Sequence, residues 1–350
     1  MHMADALISP IVGGTMWVAA GAVAAYSIKK IKDEVDEKKI PLMGVLGAFI
    51  FTAQMINFTI PATGSSGHLG GGLILAILLG PYAGFLTIAS VLTIQALFFA
   101  DGGLLALGCN IINMGLFSCF IAYPLIYRVI MKKGYSTRRI LVASIITAII
   151  GLQMGAFGVV LETLFSGKTE LPFGTFVLLM QPIHFAIGAV EGLVTAAIVT
   201  YIWKSRPEII EKAAAGEALG NLSIKKAVTA IVTLALITGV GLSWFASANP
   251  DGLEWAMIKT AGTAELEAPD GLHQSLAALQ TKTAFLPGYS FRVSENAAEE
   301  SAGDAEEAWP AVSGGTSTAG LVGGGMTLVL AGLVGAGISL AKRKKNTTQA

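Results

Sequence analysis

Long apolar runs, broken by short polar stretches, occupy most of this chain. A helix that crosses a bilayer needs about 17–25 predominantly apolar residues. Runs of that kind fall at about residues 8–28, 41–59, 69–81, 82–100, 104–131, 139–163 and 175–203, and again at 226–247 and 319–341. The third, "HLGGGLILAILLG", is short and glycine-rich, so it is the least regular span. Polar breaks such as "KKIKDEVDEKK", "NFTIPATGSSG", "ADGG" and "MKKGYSTRR" separate the rest. The pattern predicts an all-α integral membrane protein: a block of seven helices followed by a two-span module.

Composition supports this reading. Hydrophobic residues make up 53% of the 350 positions and charged residues only 13%, where a soluble domain would carry about 25% charged residues. Lys+Arg and Asp+Glu both total 23, so the net charge suggests no nucleic-acid partner, while the apolar composition implies contact with membrane lipid. Cys109 and Cys119 lie within one apolar run and are expected to be small core residues, not a disulfide.

Basic residues set the orientation. With the N-terminus outside, segments 29–39, 128–139, 204–226 and 342–345 are cytoplasmic and hold 5, 5, 5 and 4 of the 23 basic residues. Only Lys168, Lys259, Lys282 and Arg292 fall outside them. The parity requires three crossings between residues 69 and 131, and the C-terminus is then inside. The expected organisation is a membrane domain over 1–205, a cytoplasmic linker over 206–225 and a two-span module over 226–345. Between residues 250 and 318 the outer segment carries 11 acidic and 3 basic residues, with much Ala, Gly and Ser, and reads as loosely ordered.

Four histidines are present: His2, His68, His184 and His273. "MHMADALISP" has neither the positive n-region nor the cleavage site of a secretory leader, so Met1 is expected to remain the N-terminus. The Met1 amine and the His2 amide nitrogen then close a five-membered chelate ring, and the His2 amide and imidazole a six-membered one. Three nitrogens occupy three corners of a plane, and His68, on the same outer side, is the obvious fourth. Four planar nitrogens suit Ni(II) or Cu(II), whereas Zn(II) prefers a tetrahedron. The alternative is a surface histidine on a frayed terminus and a loop histidine at the interface.

His184 and Glu191, in "HFAIGAVEG", share one helix face two turns apart. An interhelical hydrogen-bonding role is favoured for His184, because no second ligand is near in sequence. His273 is expected to be solvated. "FSGKTE" resembles the tail of a phosphate-binding loop, but its first glycine is replaced by Glu162, so the chain carries no nucleotide site of its own. H-E-x-x-H and G-x-S-x-G are also absent, and an enzyme is not expected. "NPDGLEWA" opens the outer segment: Asp251-Gly252 suits a tight turn, and Asp251 and Glu254 put negative charge near the metal entrance. A simple exit turn is the alternative.

Together "MHMADALISP", "MINFTIPATGSSGHLGGGLILAILLGPYAG" and "HFAIGAVEG" resemble the substrate-binding component of the cobalt/nickel energy-coupling-factor transporters over residues 1 to about 205. "NPDGLEWA" and "AFLPGYSF" resemble the small accessory component of the same family, here fused in one chain as in nickel-type members. The resemblance implies a metal site of Met1, His2 and His68, with Asn57 and Ser66 in its supporting shell. It also implies capture of Ni(II) or Co(II) as transported substrate, with no permanently bound cofactor. Its implied partners are a transmembrane coupling protein and cytoplasmic ATPase subunits in a prokaryotic cell membrane. The Ala/Glu-rich stretch at 295–308 has no counterpart in the family pattern. Two rivals remain: a stand-alone secondary transporter, for which Glu162 and Glu191 would supply the ion relay, and a membrane metalloenzyme.

Overall fold

A computed structural model describes residues 2–31, 38–268, 271–292 and 309–348, with side chains to residue 342. The 295–308 stretch, and Met1 with its amine, lie outside the described residues. Among the described residues, six helices are long and apolar enough to cross a membrane: α1 (Pro10–Ile31), α4 (Pro81–Phe99), α5 (Leu107–Met131), α6 (Thr137–Phe165), α7 (Phe173–Ser205) and α12, whose apolar part runs over Gly314–Lys342 of a helix that reaches Thr348. Two more, α2 (Lys39–Gln54) and α9 (Lys225–Val240), have 16 residues each, roughly 24 Å of helix. All fall where the apolar runs predict them.

The third run departs most from expectation. Its helix, α3 (Gly72–Leu79), has 8 residues, roughly 12 Å, too short to cross a bilayer alone. All eight are buried inside the bundle. The preceding stretch forms a small antiparallel hairpin, β1 (Phe58–Ile60) and β2 (Ser65–Gly67), followed by an irregular loop. Irregular backbone at membrane depth survives only where protein covers it, and here protein does. The short helix α3 meets α8 (Pro207–Ala215), which buries Ile209, Ile210 and Ala213 within the expected linker.

Small residues bring the helices together. Gly188 and Gly192 of α7 sit against α6 so closely that a Cβ would fall 2.7 Å from Ile149 Cα and 2.4 Å from Ile145 Cα respectively. The two spans of the C-terminal module, α9 and α12, pack on α2 and on each other. Gly239 and Gly320 make that last contact backbone to backbone.

The described part of the acidic segment, residues 250–268, 271–292 and 309–318, is more ordered than the composition suggests. It folds into α10 (Gly252–Ala261), which packs on α7, and α11 (Leu272–Thr283), which packs on α4. His273, expected in solvent, is 2% exposed, with its Nε2 2.8 Å from the carbonyl of Ile8. Gln280 donates to the carbonyls of Ala96 and Gly102, and Trp255 donates to that of Thr63. Acidic composition misled here because apolar side chains of the segment, Leu253, Ala256, Met257 and Leu286, are buried, and its polar contacts reach backbone carbonyls of another module.

Candidate metal centre

The chain's start is held, not frayed. Met3 is fully buried; its N–H donates to Asn110 Oδ1 at 2.9 Å, and its carbonyl accepts the Gly103 N–H at 2.8 Å. Asp5 Oδ1 accepts the N–H groups of Leu105 and Ala106, which open the turn into α5. These bonds lay residues 2–8 along the loop between α4 and α5 and hold His2 beside it.

His68 arrives by a different route. Glu191, fully buried on α7, accepts the Gly70 N–H at 2.7 Å on one oxygen and the Gly71 N–H at 3.1 Å on the other. Gly71 has φ +79°, a conformation that glycine adopts without strain. This bidentate clamp folds the loop so that His68 faces His2, and their rings stack with centroids 4.9 Å apart and 23° between planes. Two histidines distant in sequence therefore share one place.

Each ring nitrogen has a neighbour. His2 Nε2 lies 3.1 Å from Gln95 Oε1, and His2 Nδ1 lies 3.4 Å from Asp101 Oδ1. His68 Nδ1 lies 3.1 Å from the Leu69 carbonyl, and its Nε2 lies 3.9 Å from Asp251 Oδ2. Burial pushes both imidazoles down to about 3, so both are neutral near pH 7 and keep lone pairs for a metal. Burial pushes Asp101 the other way, upward from its ordinary value. A small cavity of about 10 Å³ beside His68 is lined by Gly67, Met114, His184, Asp251 and Gly252 among others.

The accessory loop meets this site directly. Ser66 N–H donates to the Pro250 carbonyl at 2.8 Å, and its hydroxyl donates to that of Asn249 at 2.7 Å. The Asn57 carbonyl accepts the Ser247 N–H at 2.7 Å. Asn57 and Ser66, implied as a supporting shell for the metal, thus tie the two modules together; neither hydrogen-bonds to an imidazole. Asp251 caps α10 through Leu253 and Glu254 N–H, and Glu254 closes the capping box on the Asp251 N–H. Glu254 is spent on that cap, whereas the other oxygen of Asp251 faces His68. Tyr289, from the same module, donates its hydroxyl to Asp101.

His184 differs from expectation. Its Nδ1 pairs with the Met180 carbonyl of its own helix at 2.8 Å, not with a neighbouring helix, and its Nε2 has no partner among the described residues. Four residues at the site went unassigned by sequence reasoning: Gln54, Gln95, Asp101 and Tyr289. The two glutamines carried a signal, since amides inside apolar spans seek partners across helices.

Residues 2–209 match the family described as the cobalt uptake substrate-specific transmembrane region, and residues 225–340 match the PDGLE domain. A putative fused nickel transport protein NikMN of Archaeoglobus fulgidus is 40% identical over 217 residues, covering 61% of this chain and 70% of that one. A fused nickel transport protein NikMN of Rhodobacter capsulatus is 30% identical over 224 residues, covering 60% of this chain and 64% of that one. Among solved structures, a truncated transition metal transporter aligns with TM-score 0.52 and 30% identity, over 59% of this chain and 99% of that one. The chain is a multi-pass membrane protein of the cobalt uptake substrate-specific transmembrane family, carrying a PDGLE domain behind the family region.

Proposed function

We propose that this chain captures Ni(II), or Co(II), on the outer side of a prokaryotic cell membrane as the substrate-binding component of an ATP-driven importer. Residues 1–205 form the capture domain, 206–225 a cytoplasmic linker and 226–345 the accessory module, with the N-terminus outside and the C-terminus inside. A transmembrane coupling protein and cytoplasmic ATPase subunits, on other chains, supply the energy. The metal sits among the Met1 amine, the His2 amide and imidazole nitrogens and the His68 imidazole. The observation that carries this is the stacking of His2 on His68 at 4.9 Å, both buried and neutral. Relatives named for nickel and cobalt transport support the substrate class. Nickel is favoured because its ion accepts four planar nitrogens and the relatives that carry a fusion are named for nickel.

A self-sufficient ion-coupled transporter is less well supported. Glu191 is committed to clamping the Gly70–Gly71 turn, and Glu162 accepts from Asn113 at 2.7 Å. The chelate depends on His2 being second with a free amine before it. One Ala inserted between Met1 and His2 should abolish tight nickel binding in calorimetric titration while thermal unfolding stays unchanged. Unaltered affinity in that variant would refute the site.

A further inference from the structure

A buried chain of amides runs from the His68 loop to His2. The Gly70 carbonyl oxygen can only accept, and it accepts from Gln54 Nε2 at 2.9 Å. That contact fixes which way the Gln54 amide lies, so its Oε1 points away and accepts from Gln95 Nε2 at 2.8 Å. Gln95 Oε1 is thereby turned toward His2 Nε2, 3.1 Å away. Gln54 and Gln95 are 4% and 0% exposed, so water does not compete for these groups.

The consequence is chemical. A carbonyl oxygen accepts and cannot donate, so the nitrogen facing it must carry the proton. Asp101 Oδ1, 3.4 Å from Nδ1, is the competing acceptor, but it stands farther off than Gln95 Oε1 at 3.1 Å and its carboxylate already accepts from Tyr289. With the proton on Nε2, a neutral imidazole has its bare lone pair on Nδ1. Nδ1 is the nitrogen that can close a six-membered ring with the amide nitrogen of its own residue; Nε2 lies on the far edge of the ring and cannot. The opposite tautomer would require Gln95 to turn its NH₂ to His2, then Gln54 to turn over in response. Gln54 Oε1 would then face the Gly70 oxygen, acceptor against acceptor.

We propose that Gln54 and Gln95 are positioning residues that hold His2 in the Nε2–H tautomer and present Nδ1 to the metal. At His68 the same logic needs one link, since its Nδ1 faces the Leu69 carbonyl at 3.1 Å, which accepts and cannot donate. Because the relay begins at Gly70, the loop that presents His68 also fixes the chemistry of His2. Metal-site partners of this kind commonly contribute about 10–100-fold in affinity. The proposal rests on the chelate read above.

Nitrogen NMR of the full-length, metal-free protein labelled at histidine nitrogens tests it, with the His2 signals assigned by their loss in His2→Ala. Wild type should show Nε2 protonated and Nδ1 bare. Gln95→Leu should lose that preference and weaken nickel binding by about 10–100-fold. Gln54→Leu, which does not touch His2, should shift the tautomer in the same direction, and the double variant should lose little more than Gln95→Leu alone. Gln95→Glu keeps an acceptor for Nε2–H and should retain the tautomer, which a role in packing alone would not require. An unchanged tautomer in both Leu variants would overturn the relay. If the Ala insertion after Met1 leaves nickel affinity unchanged, the chelate itself fails, whatever the tautomer shows.

Discussion

Glu191 offers a test in which two readings of one buried carboxylate give opposite results. Both oxygens accept, one from the Gly70 N–H at 2.7 Å and one from the Gly71 N–H at 3.1 Å, at the start of α3. Replacing it by Gln keeps the shape but turns one of those oxygens into an NH₂, donor against donor. A hydrogen bond to a charged acceptor contributes about 1.5–3 kcal/mol, and a buried amide left unpaired costs about 1–3 kcal/mol. Glu191→Gln should therefore destabilise the loop by roughly 2–5 kcal/mol. Binding then draws on whatever fraction of molecules keeps His68 in place, and each 1.4 kcal/mol lost from that population is about a tenfold loss of affinity. A nickel affinity reduced by at least about tenfold is expected in calorimetric titration, together with a lower unfolding temperature. Were Glu191 an ion relay instead, the variant would bind nickel as wild type, unfold at the wild-type temperature and fail only in transport. That result would refute the clamp.

His68→Ala leaves three donors and an open corner, so nickel affinity should fall by about 10–100-fold or more in the same titration; wild-type binding would mean that a different histidine completes the plane. Truncation after residue 205 should leave a folded protein that binds nickel but transports poorly with its partners in an uptake assay, and full transport would reduce the module to a passenger. Acid should weaken the metal-free protein. His2 and His68 bind protons near pH 3 when folded but near 6.5 when unfolded, so across that window the unfolded chain holds more protons and stability falls as pH drops. Asp5 and Asp101, raised by burial, offset part of the loss. Unfolding temperatures of the apoprotein between pH 7 and 4 should show the decline, and His2→Ala should flatten it.

The membrane spans were legible because hydropathy reports a requirement of the bilayer, which every span meets alone. The meeting of His2 and His68 was legible because a chelate at an N-terminal Met-His, if formed, would leave one corner for a second imidazole. The half-length of α3 was not. An apolar run scores the same whether lipid or protein surrounds it, and α3 is covered on all sides by its own bundle. Gln54 and Gln95 sit in spans where a single amide barely lowers the apolar average, although each is buried and paired. Asp101 reads as part of a polar break, and only the turn that returns its N–H to the Gln95 carbonyl brings it over His2.

The outer segment shows why composition alone cannot judge order. Sparse apolar residues predict a chain that cannot bury enough surface to fold by itself. This one borrows a surface. His273, Gln280 and Trp255 each reach a backbone carbonyl of the seven-helix block, and the Leu286 N–H reaches that of Phe98. Such bonds leave no periodic trace in sequence because their partners lie in loops and helix ends far along the chain. Their effect is to lay Asp251 against His68 and Tyr289 against Asp101, which itself faces His2. Each of the two histidines is thus reached by a separate arm of one module, Asp251 at the start of α10 and Tyr289 after α11. A movement of that module away from the block would loosen both contacts together.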